Sequence, residues 1–537
     1  MRPIALSLGL LAASNLLAST AQAAEDTLIV PTFSEETTSA GIDSVYAGDW
    51  QYMVGGGAAS FDCNDDGFAE LLLAGGEKPA NFYRNASTRG GTLTFVKQAS
   101  GLELDAVTGA YPIDIDNDGR TDLVLLRIGE SVVMRGLGGC KFERANEAWN
   151  FAGGDAWATA FAATWEHGNA WPTLAIGAYV DRNEDTYPWG TCTDNLLMRP
   201  QAADARKFAA PLPLKPSYCP LSMLFTDWNR SGTPSLRVSN DREYYKGGQE
   251  QMWKLPPGQP PALYSQAEGW KYLRIWGMGI ASYDLNGDRY PDYFLTSMAD
   301  NKLQSLAEIP KDGKPKPSYA DIAFAKGATA HRPYTGDDWH PSTAWHTAFQ
   351  DVNNDGRVDL FIAKGNVAEM EDFARKDPNN LLIQQPDGKF REVGDKAGVA
   401  SMAVSRGAAL ADFNLDGLID LVVVNRWQSA QLWRNTTQNA GHWIELDIAQ
   451  HGANRDAIGG WIEVRCGDKV MRREMTIGGG HASGELGLWH FGLGLHDKAE
   501  VRVIWPDGEI GAWQSVEAGR IYQITRDQSV TVWQPAQ

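Results

Sequence analysis

One stretch limits the possible folds of this chain more than any other: Asp114-Ile115-Asp116-Asn117-Asp118-Gly119-Arg120-Thr121-Asp122, running into the apolar Leu123-Val124-Leu125-Leu126. Acidic side chains stand at loop positions 1, 3, 5 and 9, and glycine stands at position 6. Ca²⁺ takes about six to eight hard oxygens at flexible angles, and a short loop alternating carboxylates with outward-pointing residues wraps them around one point. Position 7 adds a backbone carbonyl, and the glycine turns the chain at positive φ without a Cβ clash. The nine residues read as a calcium loop feeding a strand. A single copy also reads as a solvated acidic turn, because Asp, Asn and Gly are ordinary turn residues.

Repetition removes that alternative. The pattern recurs as Asp62, Asn64, Asp66 and Glu70; as Asp284, Asn286, Asp288 and Asp292; as Asp351, Asn353, Asp355 and Asp359; and as Asp412, Asn414, Asp416 and Asp420. With Asp114, Asp116, Asp118 and Asp122 these are the expected metal ligands, and Ca²⁺ is the expected cofactor. In the Asp284 copy glycine stands at position 4 (Gly287) and Arg289 at position 6, which predicts a different turn. Loop 227–235 keeps Gly232 but has Ser231 and Ser235 at positions 5 and 9. Loop 165–173 keeps only its spacing to Leu174-Ala175-Ile176, and no metal is expected there. Successive copies start about 52, 51, 62, 57, 67 and 61 residues apart, the span of a four-stranded propeller blade. Seven copies predict an all-β chain, a seven-bladed β-propeller followed by a small β domain.

These loops and strands resemble the FG-GAP or VCBS repeats of integrin-type propellers. Residues 443–525 resemble the ASPIC/UnbV domain that follows such repeats in cartilage acidic protein-like proteins. That second likeness rests on Asn454-Arg455-Asp456-Ala457-Ile458-Gly459, Gly478-Gly479-Gly480-His481-Ala482-Ser483-Gly484, His490-Phe491-Gly492-Leu493-Gly494 and Trp505-Pro506-Asp507-Gly508. The resemblance implies a fold and a metal, and little about activity, since one fold hosts many functions. The expected organisation is a signal peptide over 1–23, a propeller over 24–436 and an ASPIC/UnbV-like domain over 437–537.

The signal reading rests on Arg2, an apolar run from Ile4 to Leu17 and Ala21-Gln22-Ala23, with cleavage expected after Ala23. It predicts a secreted or periplasmic protein. The net charge of -19 argues against nucleic acid or an anionic membrane as partner, and no later segment is apolar enough to insert in a bilayer. Roughly seventeen acids sit in the five better loops, so about five Ca²⁺ would offset ten charges. Five cysteines in an oxidising compartment leave at least one unpaired. A Cys192–Cys219 bridge is expected to staple a Pro-rich connection, while Cys63 and Cys466 read as buried small hydrophobes.

Along the chain, the sixth and fifth repeats close on an aromatic followed by a small-residue and glycine phrase, Phe390 to Val399 and Tyr319 to Ala328, and Phe95 to Leu102 is a shorter version after the first. The seventh repeat lacks this phrase, and it stands instead at Phe33 to Ile42. Residues around Leu28 to Glu36 are therefore expected to close the ring beside Gln431 to Arg434. Two stretches read as insertions, Tyr179 to Pro220 and His331 to His340. His331, Trp339, His340 and His346 form a possible ligand surface at the propeller mouth. In the last domain, Gly478-Gly479-Gly480-His481 precedes no helix and so is not a phosphate loop; His481 and His490 read as structural or surface groups.

Every dense acidic cluster is thus absorbed by metal loops, and no nucleophile, triad or carboxylate pair is evident. The chain reads as a monomeric, exported binding or adhesion module for a carbohydrate or protein. The alternative is a carbohydrate-active, lyase-like enzyme with its site at the mouth near His331 to His346.

Overall fold

Each acidic loop lies between two antiparallel strands, because its apolar flanks are buried on both faces while the loop itself collects the polar groups. In the computed structural model, which describes residues 28–184, 191–242, 247–311, 313–329 and 340–533, this arrangement builds an all-β molecule. Residues 1–23, His331 and Trp339 lie outside the described residues.

Among the described residues there are seven four-stranded antiparallel units. The first is Ala58–Phe61, Glu70–Leu73, Asn81–Asn85 and Phe95–Lys97. The opening strands of the other six are Val107–Ile113, Ala156–Thr164, Pro220–Thr226, Gly277–Tyr283, Ala344–Gln350 and Ser405–Ala411. These seven strands contact one another in cyclic order, and the last returns to the first. The fold is propeller-like.

Closure occurs as the closing phrase predicts. Phe33–Glu35 pairs antiparallel with Gln431–Asn435, in the register Phe33 to Asn435, Ser34 to Arg434 and Glu35 to Trp433. The phrase also explains its own glycine. A Cβ on Gly41, Gly101 or Gly327 would lie 2.7, 2.4 or 2.8 Å from the carbonyl oxygen of Phe95, Phe142 or Phe390, on the outer strand of the next unit. All three have positive φ. Only glycine permits both the turn and the close approach.

Three expectations change. Part of the supposed insertion from Tyr179 to Pro220 is the outer half of the third unit, Asn195–Met198 and Leu212–Leu214. Its last strand contains Pro213, which an edge tolerates because the missing N–H needs no partner there. Cys63 is not a lone hydrophobe: it bridges to the buried Cys140 and links the first unit to the second. The Cys192–Cys219 bridge forms as expected, and Cys466 is free and buried. Finally, the C-terminal β region is not separate from the ring. Its two four-stranded sheets, including His442–Ala449, Trp461–Cys466, Trp489–Gly494 and Lys498–Ile504, share an apolar cluster with ring residues such as Ile113, Phe161 and Trp171. Among the described residues, no helix is long and apolar enough to cross a membrane.

Candidate metal loops and the covered axis

In all five acidic loops the carboxylates first organise the turn. The N–H of position 6 donates to the position 1 carboxylate: Gly67 to Asp62 at 2.6 Å, Gly119 to Asp114 at 3.0 Å, Arg289 to Asp284 at 3.1 Å, Gly356 to Asp351 at 2.8 Å and Gly417 to Asp412 at 2.5 Å. The position 2 N–H donates to position 9, as from Ile115 to Asp122 at 2.8 Å and from Val352 to Asp359 at 3.1 Å. The position 7 N–H donates to position 5, as from Phe68 to Asp66 at 2.9 Å and from Leu418 to Asp416 at 3.0 Å. Asn64, Asn286 and Asn353 each accept the N–H two residues on, at 2.8 to 3.1 Å.

The turn expected to differ at Asp284 does not. Positions 4 and 6 both take positive φ in all five acidic loops, 76° at Gly287 and 82° at Arg289 against 56° at Asn117 and 86° at Gly119. Moving glycine from position 6 to 4 relieves one left-handed residue and strains the other, and the carboxylate bond holds the strained one.

The remaining oxygens suit a hard cation. One oxygen each of Asp114, Asp116 and Asp122 lie within 4.8 Å of one another. Asp114 Oδ1, Asp284 Oδ1 and Asn414 Oδ1 are buried with no hydrogen-bond partner. Burial pushes Asp62 up to about 6, Asp114 and Asp292 to about 7, Asp122 to about 8 and Glu70 to about 9, and neighbouring carboxylates add to each rise. Asp351, Asp359, Asp412 and Asp420 are raised well above the usual carboxylate range for the same reasons. Like charges crowded out of water favour a bound cation. The degenerate loops are filled differently. Glu166 of loop 165–173 pairs with Arg199 at 2.5 Å, and Asp227 has Glu474 of the C-terminal region against its N–H at 2.6 Å.

The C-terminal region covers this face. Arg455 donates to the carbonyl of Gly119, Lys469 to that of Gly356 and Arg472 to that of Gly287 at 3.3 Å, while the rings of Trp443 and Trp533 pack on Gly417 and Gly67. Where the metal ligands are missing, a cavity of about 480 Å³ opens beside Trp165, Asp227, His451 and Arg526.

The glycine-rich segment occupies the axis of the ring, a role that sequence reasoning missed. Residues 477–486 bond to the opening strand, or its first turn, of all seven units: through Ala58, Ala110, Ala162, Leu224, Ile280, His346 and Leu410. The opening strands make room with glycines of their own. A Cβ on Gly57 would lie 1.8 Å from the Ala482 carbonyl oxygen, and one on Gly109 2.6 Å from it. Four glycines within seven residues, with no helix after them, were the available signal.

His346 therefore does not share an open surface with His340, which is exposed. Its strand buries it at the axis, where Nδ1 accepts the His481 N–H at 3.1 Å, and burial lowers it to about 4. His481 is buried against Trp345, accepts the Gly55 N–H at 3.2 Å, and is lowered to about 3 by burial and then by Arg406. His490 is also buried. The structural reading of His481 and His490 agrees with these positions.

Comparison with known proteins matches two models to this geometry. The FG-GAP-like repeat model matches residues 62–125 and 351–423, which hold four of the five acidic loops. The ASPIC and UnbV model matches residues 450–531, which include the axial segment. The chain carries FG-GAP-like repeats and an ASPIC and UnbV domain. Cartilage acidic protein 1 of Mus musculus and of Homo sapiens are each 22% identical to it over 225 residues, 38% of this chain. The match spans about a third of those relatives, 34% and 33%. Among solved structures, BBS1N in complex with ARL6DN aligns at a TM-score of 0.43 and 9% identity, over 75% of this chain and 96% of that one. The BP39L lectin from Burkholderia pseudomallei aligns at 0.42 and 11%, over 72% and 97%. In the FG-GAP-like repeats the unmatched acidic loop is the Asp284 copy, the one whose glycine has moved.

Proposed function

We propose that this chain is an exported, calcium-stabilised, seven-bladed propeller whose ASPIC and UnbV domain, over about 437–537, caps the metal loops, and that it acts as a binding module for a carbohydrate or protein. The observation that carries the reading is the occupation of one face and the axis by the chain itself. Ligand contact then falls to the opposite face, at the far ends of the strands that leave the loops.

On that face Trp427 is 46% exposed at φ 62°, a strained conformation for an aromatic residue. The Arg426 guanidinium lies 3.9 Å from its ring centre, and Arg426 is itself held by the carbonyls of Val367 and Asp49. A rigid, backed tryptophan with one open face suits sugar stacking or a protein hot spot. The two disulfides accord with export to an oxidising compartment. The enzyme alternative loses His346 from an open acid/base site, because that imidazole is buried at the axis.

Glycan-array screening of the full chain, followed by Trp427→Ala against each glycan bound, tests the surface. The variant should bind at least about tenfold more weakly with its melting temperature unchanged, as for an aromatic anchor. Equal binding by the variant contradicts the placement, and an array without a hit assigns the face to a protein ligand.

A further inference from the structure

Strand His442–Ala449 crosses the metal-loop face with alternate side chains towards the ring. Trp443 covers Gly417 so closely that a Cβ there would lie 1.8 Å from the indole. Two residues on, the Glu445 side chain is 1% exposed. Its Oε1 lies 3.3 Å from His490 Nδ1, and its Oε2 is buried without a hydrogen-bond partner. In the loop below, Asn414 is fully buried and its Oδ1 is likewise unpartnered.

The surroundings offset this group only in part, Arg89 favouring its ionised form. Burial lowers His490 to about 3, so it is a neutral imidazole, and its Nε2 sits 2.7 Å from Asn354 Oδ1. Arg434 pairs with Glu36 at 2.8 Å, and Arg89 donates to the Leu415 carbonyl at 3.1 Å. The Gly417 N–H, beneath the Trp443 indole, donates to Asp412 at 2.5 Å, so the face of the strand that carries Trp443 and Glu445 lies on loop 412–420. Asp412, Asp416, Asp420 and Glu445 thus share one interface, and burying that much negative charge with little compensation is costly.

We propose that Glu445 is a ligand, supplied by the C-terminal domain, to the cation of loop 412–420, so that this site is complete only when the domain is docked. The proposal rests on the calcium reading above and goes beyond it, since the repeat alone supplies no such residue. Loop 284–292 offers a contrast within the same interface: there the domain presents Arg472, 3.4 Å from Asp284 Oδ2, a positive group where Glu445 is negative. The domain therefore tightens one site and not the other.

Thermal melting of the full chain and of Glu445→Gln, each in chelator and in calcium, tests this, with calorimetric calcium titration beside it. In chelator the variant should melt at or above the parent, because a buried unpaired carboxylate is gone. In calcium its rise should be smaller, and one site should weaken at least about tenfold, as for a lost carboxylate ligand. An equal calcium rise in both proteins, or an equal loss of stability in both conditions, overturns the assignment while leaving the calcium reading intact. A parent chain indifferent to calcium overturns both. Should the variant not fold, a crystal of the parent grown with calcium decides: an ion within about 2.3–2.6 Å of a Glu445 oxygen supports the proposal, and an ion held by the loop alone overturns it.

Discussion

A chain lacking residues 24–42 should lose cooperative melting and aggregate on warming. Phe33–Glu35 is the fourth strand of the last unit, so its removal bares the backbone edge of Gln431–Asn435. Several further contacts go with it. Glu36 pairs with Arg434 at 2.8 Å and accepts the Leu93 N–H at 3.0 Å, Thr37 accepts the Leu432 N–H at 2.9 Å, and Leu28, Val30 and Phe33 pack on the cluster around Val423 and Trp433. At about 1 kcal/mol net for each hydrogen bond, with the apolar contacts added, the loss is several kcal/mol, a large part of the stability of an ordinary domain. Differential scanning calorimetry with light scattering reads the result. A truncated chain that melts like the parent without scattering would show the segment to be a dispensable tail.

The second large effect is at the axis. Gly57→Ala drives a methyl group to 1.8 Å from the Ala482 carbonyl oxygen, and Gly109 and Gly407 leave that segment little space to retreat, because a Cβ on either would also lie under 3 Å from it. Overpacking of this kind costs about 1–3 kcal/mol and displaces the smaller, less regular partner. The expected outcome is a lower melting temperature together with new proteolytic cleavage within 477–486, a stretch largely buried in the parent. Unchanged cleavage would mean that the ring, rather than the axial segment, absorbs the strain.

Both effects bear on what could be read from residues alone. The loop pattern was legible because each position has one physical job: a carboxylate that accepts a particular N–H, or a residue that takes positive φ. The closing strand was legible because Phe33 to Ile42 repeats a phrase whose glycine abuts the next unit. The Asp284 turn was misread because Arg289 occupies a left-handed position that the loop's own carboxylate bond, and not residue type, enforces. The Cys63–Cys140 bridge joins neighbouring units 77 residues apart, and nothing local marks the pair. The axial role of 477–486 was hidden for a similar reason. Its glycines answer to contacts with seven strands spread over the whole chain, whereas a sequence pattern reports only on neighbours. His346 was grouped with His340 by proximity along the chain, yet strand Ala344–Gln350 carries it to the axis.

The central claim is that cations at the acidic loops stabilise the ring and its cap. Only the folded loops gather these oxygens, so at about a hundred times its dissociation constant each ion contributes roughly 2.7 kcal/mol. Four or five ions then amount to about 10 kcal/mol or more, and for a chain of this size that raises the melting temperature by roughly ten degrees. The direct test is calorimetric melting of the full chain after chelation and again with calcium restored, beside Asp116→Ala, Asp355→Ala and Asp227→Ala. A rise on restoring calcium is expected, reduced in the first two variants and nearly intact in the third, whose loop lacks acids at positions 5 and 9. Superimposable melting curves with and without calcium would contradict the account.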